Sequence, residues 1–149
     1  MEKEPQRYQA NEKASLSEHI LKLVPYEQII EIVDGIKIED GEEFELAGKT
    51  HQILYYDQDD GNPIEFYKST QLDGFDIYIW TSLIKKYPKA AFRTALKHEI
   101  AEIALICKNE EENAHDLAVQ YEKKYIEESG TLSKEEEELT KFLIENKIV

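Results

Sequence analysis

The 149-residue sequence predicts one α+β domain, with helices at both ends and a mainly antiparallel sheet of four or five strands between them. Two changes of hydrophobic period carry that expectation. Near Gly35 the apolar spacing passes from helical to alternating, and near Pro88 it returns to helical. A third observation is the clustering of turn residues (Asp40-Gly41, 57–63 and Leu72-Asp73-Gly74) between the alternating runs. No repeat or linker interrupts the chain, so 1–149 reads as a single domain whose first 13 or so residues, polar and irregular, are flexible.

Taken in order, Ser15 or Ser17 can cap a short helix over residues 19–24, which Pro25 stops or turns. Residues 26–33, with Ile29, Ile30, Ile32 and Val33, read as a second helix ending near Gly35. Residues 36–39 and 44–46 then flank Asp40-Gly41 as a hairpin, and 51–56 is the next strand. The segment DQDDGNP, 57–63, reads as a surface turn. Its aspartates fall one residue short of EF-hand spacing, and no glutamate closes the loop. Residues 64–68 and 75–80 follow as strands. His51 lies on a strand as a cross-strand packing residue, and His19 belongs to a surface or capping turn. Beyond residue 125 a helix ends near Gly130. Ser133 opens a last helix through Leu139, Phe142, Leu143 and Ile144, with an acidic first turn that suits the helix dipole.

A hydrophobic content of 41% and an aromatic content of 10% indicate a folded chain. The net charge of −14 argues against binding nucleic acid through its phosphates or docking on anionic lipid, and it permits a basic protein partner. No apolar run approaches the roughly 20 residues of a membrane span. The start, MEKEPQRYQANEK, has no apolar signal-peptide core. A single cysteine, Cys107, cannot form an internal disulfide and reads as a small core residue. These features together point to the cytoplasm.

Chemistry concentrates in residues 94–125, TALKHEIAEIALICKNEEENAHDLAVQYEKKY. They read as two helices joined by a short connection at Lys108-Asn109, with Asn109 as N-cap of the second helix and Glu112 at capping-box spacing. So short a connection makes the helices antiparallel neighbours. On the first helix Phe92, Leu96, Ile100, Ile103 and Cys107 form an apolar stripe, with Arg93, Lys97 and Lys108 opposite, on the wet side. Glu99 falls inside the stripe, and His98 and Glu102 fall on its flank. Counted from the turn, Glu102 and His115 lie at equal depth, roughly 10 Å, with His98 one turn further along. These three side chains can therefore converge between the helices as ligands for zinc or another first-row divalent ion. Glu122 shares a face with His115 and is the candidate to orient it. The plainer reading of the same residues is a pair of interhelical histidines hydrogen-bonded to glutamates.

His98-Glu99-Ile100-Ala101-Glu102, followed by His115 on the next helix, resembles the active-site helix of the zincin metallopeptidases, whose signature is H-E-x-x-H. The resemblance covers about thirty residues. It implies a zinc-dependent, peptidase-like hydrolase acting on a peptide or protein, with His98, Glu102 and His115 on the metal and Glu99 as general base. It also implies that the strand near 75–81 holds substrate as an added strand. Glu102 stands where the family has histidine, and His115 where one branch has glutamate, so the ligand set is kept but permuted. Two other classes compete. One is an acidic interaction or inhibitor protein that uses its negative surface to bind a basic partner. The other is a di-iron carboxylate site built on Glu112-x-x-His115 with Glu99 and Glu102, which needs matching motifs on four helices.

Overall fold

A computed structural model describes residues 16–129 and 132–146. The expectations for residues 1–13, for Ser15 and for a helix end at Gly130 lie outside the described residues. Two hairpins laid side by side make the sheet. Glu43–Leu46 (β1) and Lys49–Tyr56 (β2) pair antiparallel, as do Ile64–Lys68 (β3) and Phe75–Trp80 (β4). Between the hairpins β2 and β4 run parallel, and the order is β1-β2-β4-β3. The fold is α+β as expected, with four strands; two of the three pairings are antiparallel, and the parallel β2–β4 pairing makes the sheet mixed rather than purely antiparallel.

The reason lies in residues 57–63. They pass across the end of β4 instead of turning back beside β2, spanning two strand spacings or roughly 10 Å. Their aspartates fasten this crossover. The Thr81 hydroxyl donates to Asp57 at 2.6 Å, the Ser82 hydroxyl to Asp59 at 2.9 Å and the Tyr56 hydroxyl to Asp60 at 2.8 Å.

The first hairpin also turns elsewhere than expected. Ala47 and Gly48, with φ of 55° and 76°, form its two-residue turn, because paired positive φ values match the twist of the strands. Residues 36–39 form no strand. Ile36 and Ile38 are both buried, as the alternation required, but Ile38 sits at φ 59° and breaks any ladder.

Helices flank the sheet in sequence. Glu18–Leu23 (α1) is capped by Ser17, whose hydroxyl accepts the Ile20 N–H at 3.2 Å, and Pro25 opens Tyr26–Gly35 (α2). After β4 come Thr81–Lys86 (α3), a 3-10 turn Lys89–Phe92 behind Pro88, and Arg93–Cys107 (α4). A second 3-10 turn, Glu111–Asn113, leads into Ala114–Ser129 (α5), and Lys134–Asn146 (α6) ends the described chain. Among the described residues no helix is long and apolar enough to cross a membrane. Ile53, Ile64, Ile77 and Ile79 of the sheet share one core with Phe92, Leu96, Ile100 and Ile103.

Being central, α4 is buried on nearly every side, and residues 94–101 are all buried. Lys97 is therefore not on a wet face. It is 1% exposed, with its ammonium 3.5 Å from the centre of the Tyr125 ring. Burial lowers its pKa to about 8, against the opposing pull of Asp34 and Glu136.

His51 packs as expected, stacked between Phe44 and Phe75. Its Nδ1 accepts the Phe75 N–H at 2.9 Å, so Nε2 carries the proton donated to the Leu46 carbonyl at 3.0 Å. Burial lowers the pKa of this imidazole. Gly74 leaves the room: a Cβ there would collide with the Thr50 carbonyl and the His51 ring.

Two predictions follow from this packing. Gly74→Ala should cost about 1–3 kcal/mol in denaturant unfolding, and an unchanged midpoint would show that the strand yields without strain. Lys97→Met should stabilise the protein most below pH 8, where Lys97 is charged both buried and unfolded. Between pH 8 and 10.5 the unfolded chain binds more protons than the folded one, so wild-type stability rises and the advantage of the variant shrinks. A difference that stays constant through that window would mean Lys97 titrates as a solvated lysine.

Candidate metal centre

The connection between α4 and α5 sets the depth of every side chain in the site. Lys108 closes α4, and Asn109 takes the left-handed conformation at φ 65°. The Glu110 N–H returns to the Leu105 carbonyl at 2.8 Å and the Asn109 N–H to the Ile106 carbonyl at 3.1 Å, a Schellman pair. Asn109 thus finishes the first helix and is not the N-cap of the second, which begins only after Glu111–Asn113. The pairing survives this correction, because α4 and α5 are the most extensively packed elements of the fold.

The other end of α4 is held by α6. Ser133 accepts the Glu136 N–H at 3.1 Å, as its capping position predicts. The Glu136 side chain is buried and accepts both the N–H (3.2 Å) and the hydroxyl of Thr94. One acid of that first turn therefore does more than suit its own dipole. It caps the helix that carries the site, where a carboxylate is also favoured by the exposed N–H groups.

His98, Glu102 and His115 meet as the spacing predicts, each offering a ligand atom within 4.8 Å of the others. His98 Nε2 lies 3.3 Å from Glu102 Oε1, and His115 Nδ1 lies 3.7 Å from the same oxygen. Donors arranged tetrahedrally around zinc at about 2.0–2.1 Å stand roughly 3.3 Å apart, so this donor set fits such an ion with small adjustments. Burial alone would raise the Glu102 carboxyl, but hydrogen bonds from His115 and His98 outweigh it and bring the group to about 2, leaving it ionised.

Glu122 belongs to the site in a different role from the one expected. Its Oε1 lies 3.2 Å from His98 Nδ1, so it orients His98 and not His115. Two antiparallel helices match each step back along one with a step forward along the other. His98 is the turn beyond Glu102 on α4, and its counterpart on α5 is the turn beyond His115, where Glu122 stands.

These residues line a cleft of about 510 Å³ between α4, α5, α6 and β3. Glu99, 2% exposed, lines the same cleft. Ile64 and Phe66 of β3, Val119 and Ile126 of α5 and Leu143 of α6 supply apolar walls. The strand 75–81 cannot take an added strand, because β4 is hydrogen-bonded to β2 and β3 on its two sides. The edge strands are β1 and β3, and it is β3 that borders the cleft.

Glu112 is exposed and outside the cluster. Among the described residues His98, Glu102 and His115 are the one group with ligand spacing, so the four-helix di-iron arrangement does not assemble. Cys107 is half-buried, and burial pushes its thiol up. No protein-family model, curated protein or solved structure matches the chain, so the functional reading rests on this site's own chemistry.

Proposed function

We propose that the chain is a metal-dependent hydrolase of peptide-like bonds, zinc being the ion the ligands suit best, with His98, Glu102 and His115 as ligands and Glu99 as general base. The observation that carries this reading is the meeting of two imidazoles and an ionised carboxylate on the wall of a cleft that Glu99 also lines. Three protein ligands are the number a catalytic zinc takes while keeping one position open. Zinc held there would supply a Lewis acid for the scissile carbonyl and lower the pKa of the attacking water.

The remaining work falls to the chain's own side chains. Glu99, next to His98 in sequence, accepts the proton of the water and returns it to the leaving amine. Glu122, on Nδ1 of His98, fixes the tautomer whose Nε2 lone pair points at the ligand cluster. The free edge of β3 offers backbone groups for an extended peptide, and the apolar walls accept a side chain beside it. The likeness of His98 to Glu102 to the zincin helix supports the same assignment, with Glu102 and His115 exchanged relative to that family. The cytoplasm is the setting this reading assumes.

Protein purified without tag or added metal should contain about one zinc per chain. His98→Ala and His115→Ala should each lose it while remaining folded. Full stoichiometry in both variants would place the metal elsewhere. Glu122→Gln should weaken zinc about 10- to 100-fold without abolishing it.

The catalytic assignment is separated from the metal by a second pair of variants. Glu99→Gln should keep its zinc and lose about 10²- to 10⁴-fold in turnover on a peptide library, whereas Glu102→Gln should weaken the metal itself. Wild-type hydrolysis in Glu99→Gln would remove Glu99 as the base, and a wild type that cleaves no library peptide with zinc supplied would remove the peptidase reading.

A further inference from the structure

Alternation along the four strands sends Ile53, Ile64, Ile77 and Ile79 into the core and a second set of side chains to the opposite face. On that second face the register places Tyr78 of β4 between Leu54 of β2 and Glu65 of β3. Tyr56, Tyr78 and Tyr67 form a belt across three strands, with ring centres 6.3 and 6.0 Å apart. Leu54, Tyr56 and Tyr78 neither belong to the core nor pack against it, and Tyr67 is 57% exposed.

Every charged side chain that alternation sends to this face is a carboxylate: Glu43 and Glu45 on β1, Glu65 on β3 and Asp76 on β4. Their donors are neutral. Thr50 donates to Glu45 at 2.6 Å, Tyr67 to Glu65 at 2.7 Å and Gln52 to Asp76 at 2.8 Å. Each carboxylate has more acceptor positions than these bonds use.

Flat rings beside carboxylates, with no cation among them, complement one side chain above the others. A guanidinium stacks on tyrosine and forks its donors onto a carboxylate, whereas a lysine ammonium does neither as well. The chain's charge of −14 would steer a cationic partner inward and repel nucleic acid and anionic lipid. We propose that the face formed by Tyr56, Tyr67, Tyr78, Glu43, Glu45 and Glu65 docks an arginine-bearing basic segment of a partner protein. The inference does not depend on the metal centre, although Glu65 also lines the cleft at the edge of β3.

The test uses the full chain, with a nonaarginine peptide as probe and a nonalysine peptide for comparison. Affinity is read from the fluorescence of Trp80, the sole tryptophan, which lies on β4 at the margin of this face, and location from amide shifts in labelled protein. The arginine peptide should bind several-fold more tightly than the lysine peptide, with shifts confined to β1–β4. Glu43→Lys with Glu45→Lys should weaken it by at least about tenfold, and Tyr67→Ser, at an exposed position, by several-fold. Glu135→Lys with Glu138→Lys, the same charge change on exposed positions of α6, should have a smaller effect.

Equal losses in the two double variants would reduce the attraction to net charge and overturn the proposal, as would equal affinity for the two peptides. Shifts centred on His98 and Glu102 would assign the peptide to the cleft instead. Face resonances that move with protein concentration alone, or on removal of residues 1–15, would identify the occupant as a second copy or an internal segment and equally overturn it.

Discussion

The site depends on a polar helix being held inside an apolar core. Residues 94–101 are buried without a break, and four of them, Thr94, Lys97, His98 and Glu99, carry groups that water would otherwise solvate. A buried polar group without a partner costs about 1–3 kcal/mol, and a buried charge more. Surrounding side chains meet that demand at Thr94, Lys97 and His98. Glu136 of α6 takes the N–H and hydroxyl of Thr94, the ring of Tyr125 on α5 lies beneath the Lys97 ammonium, and Glu102 and Glu122 bracket the His98 ring. The helices after the turn therefore do two things at once: they cover α4 and they satisfy it. A partner lost from α5 or α6 would both loosen packing and leave a polar atom stranded, which ties the integrity of the site to that of the fold.

The same dependence explains which parts of the arrangement were legible in the sequence. Local chemistry read well. Ser17 and Ser133 cap as their types predict, strands form over the expected 51–56, 64–68 and 75–80, and the equal depth of Glu102 and His115 follows from helix rise alone. Pairings distant in sequence did not. Nothing local says that β2 and β4 run side by side, or that Glu136 reaches back 42 residues to Thr94. Asn109 misled for a different reason. Asparagine suits both an N-cap and a left-handed helix end, and only the returning bonds from Asn109 and Glu110 decide between them. Lys97 misled because a helical wheel assigns one wet side by default, and a helix covered on all sides has none. The partner of Glu122 was missed by one turn, since a wheel gives the face of a residue but not the position opposite it on the next helix.

Charge balance bears on the two readings of the histidine cluster. Glu102 and Glu122 both face His98, and Glu102 faces His115 as well. A largely buried pair of carboxylates needs compensating positive charge close by. In the plainer reading that charge comes from protons on both imidazoles, whose ring centres are 5.1 Å apart. Two positively charged rings so near each other would repel. A divalent ion supplies the same compensation as a single centre. Such an ion would be held by His98 and His115 as lone-pair donors, with Glu122 accepting the N–H at Nδ1 of His98. Both readings use the Glu122 carboxylate on Nδ1 of His98, the contact that crosses between α4 and α5. The readings part at Nε2: a bridging imidazolium would donate it to Glu102, one turn along the same helix, whereas a ligand would turn its lone pair to the ion.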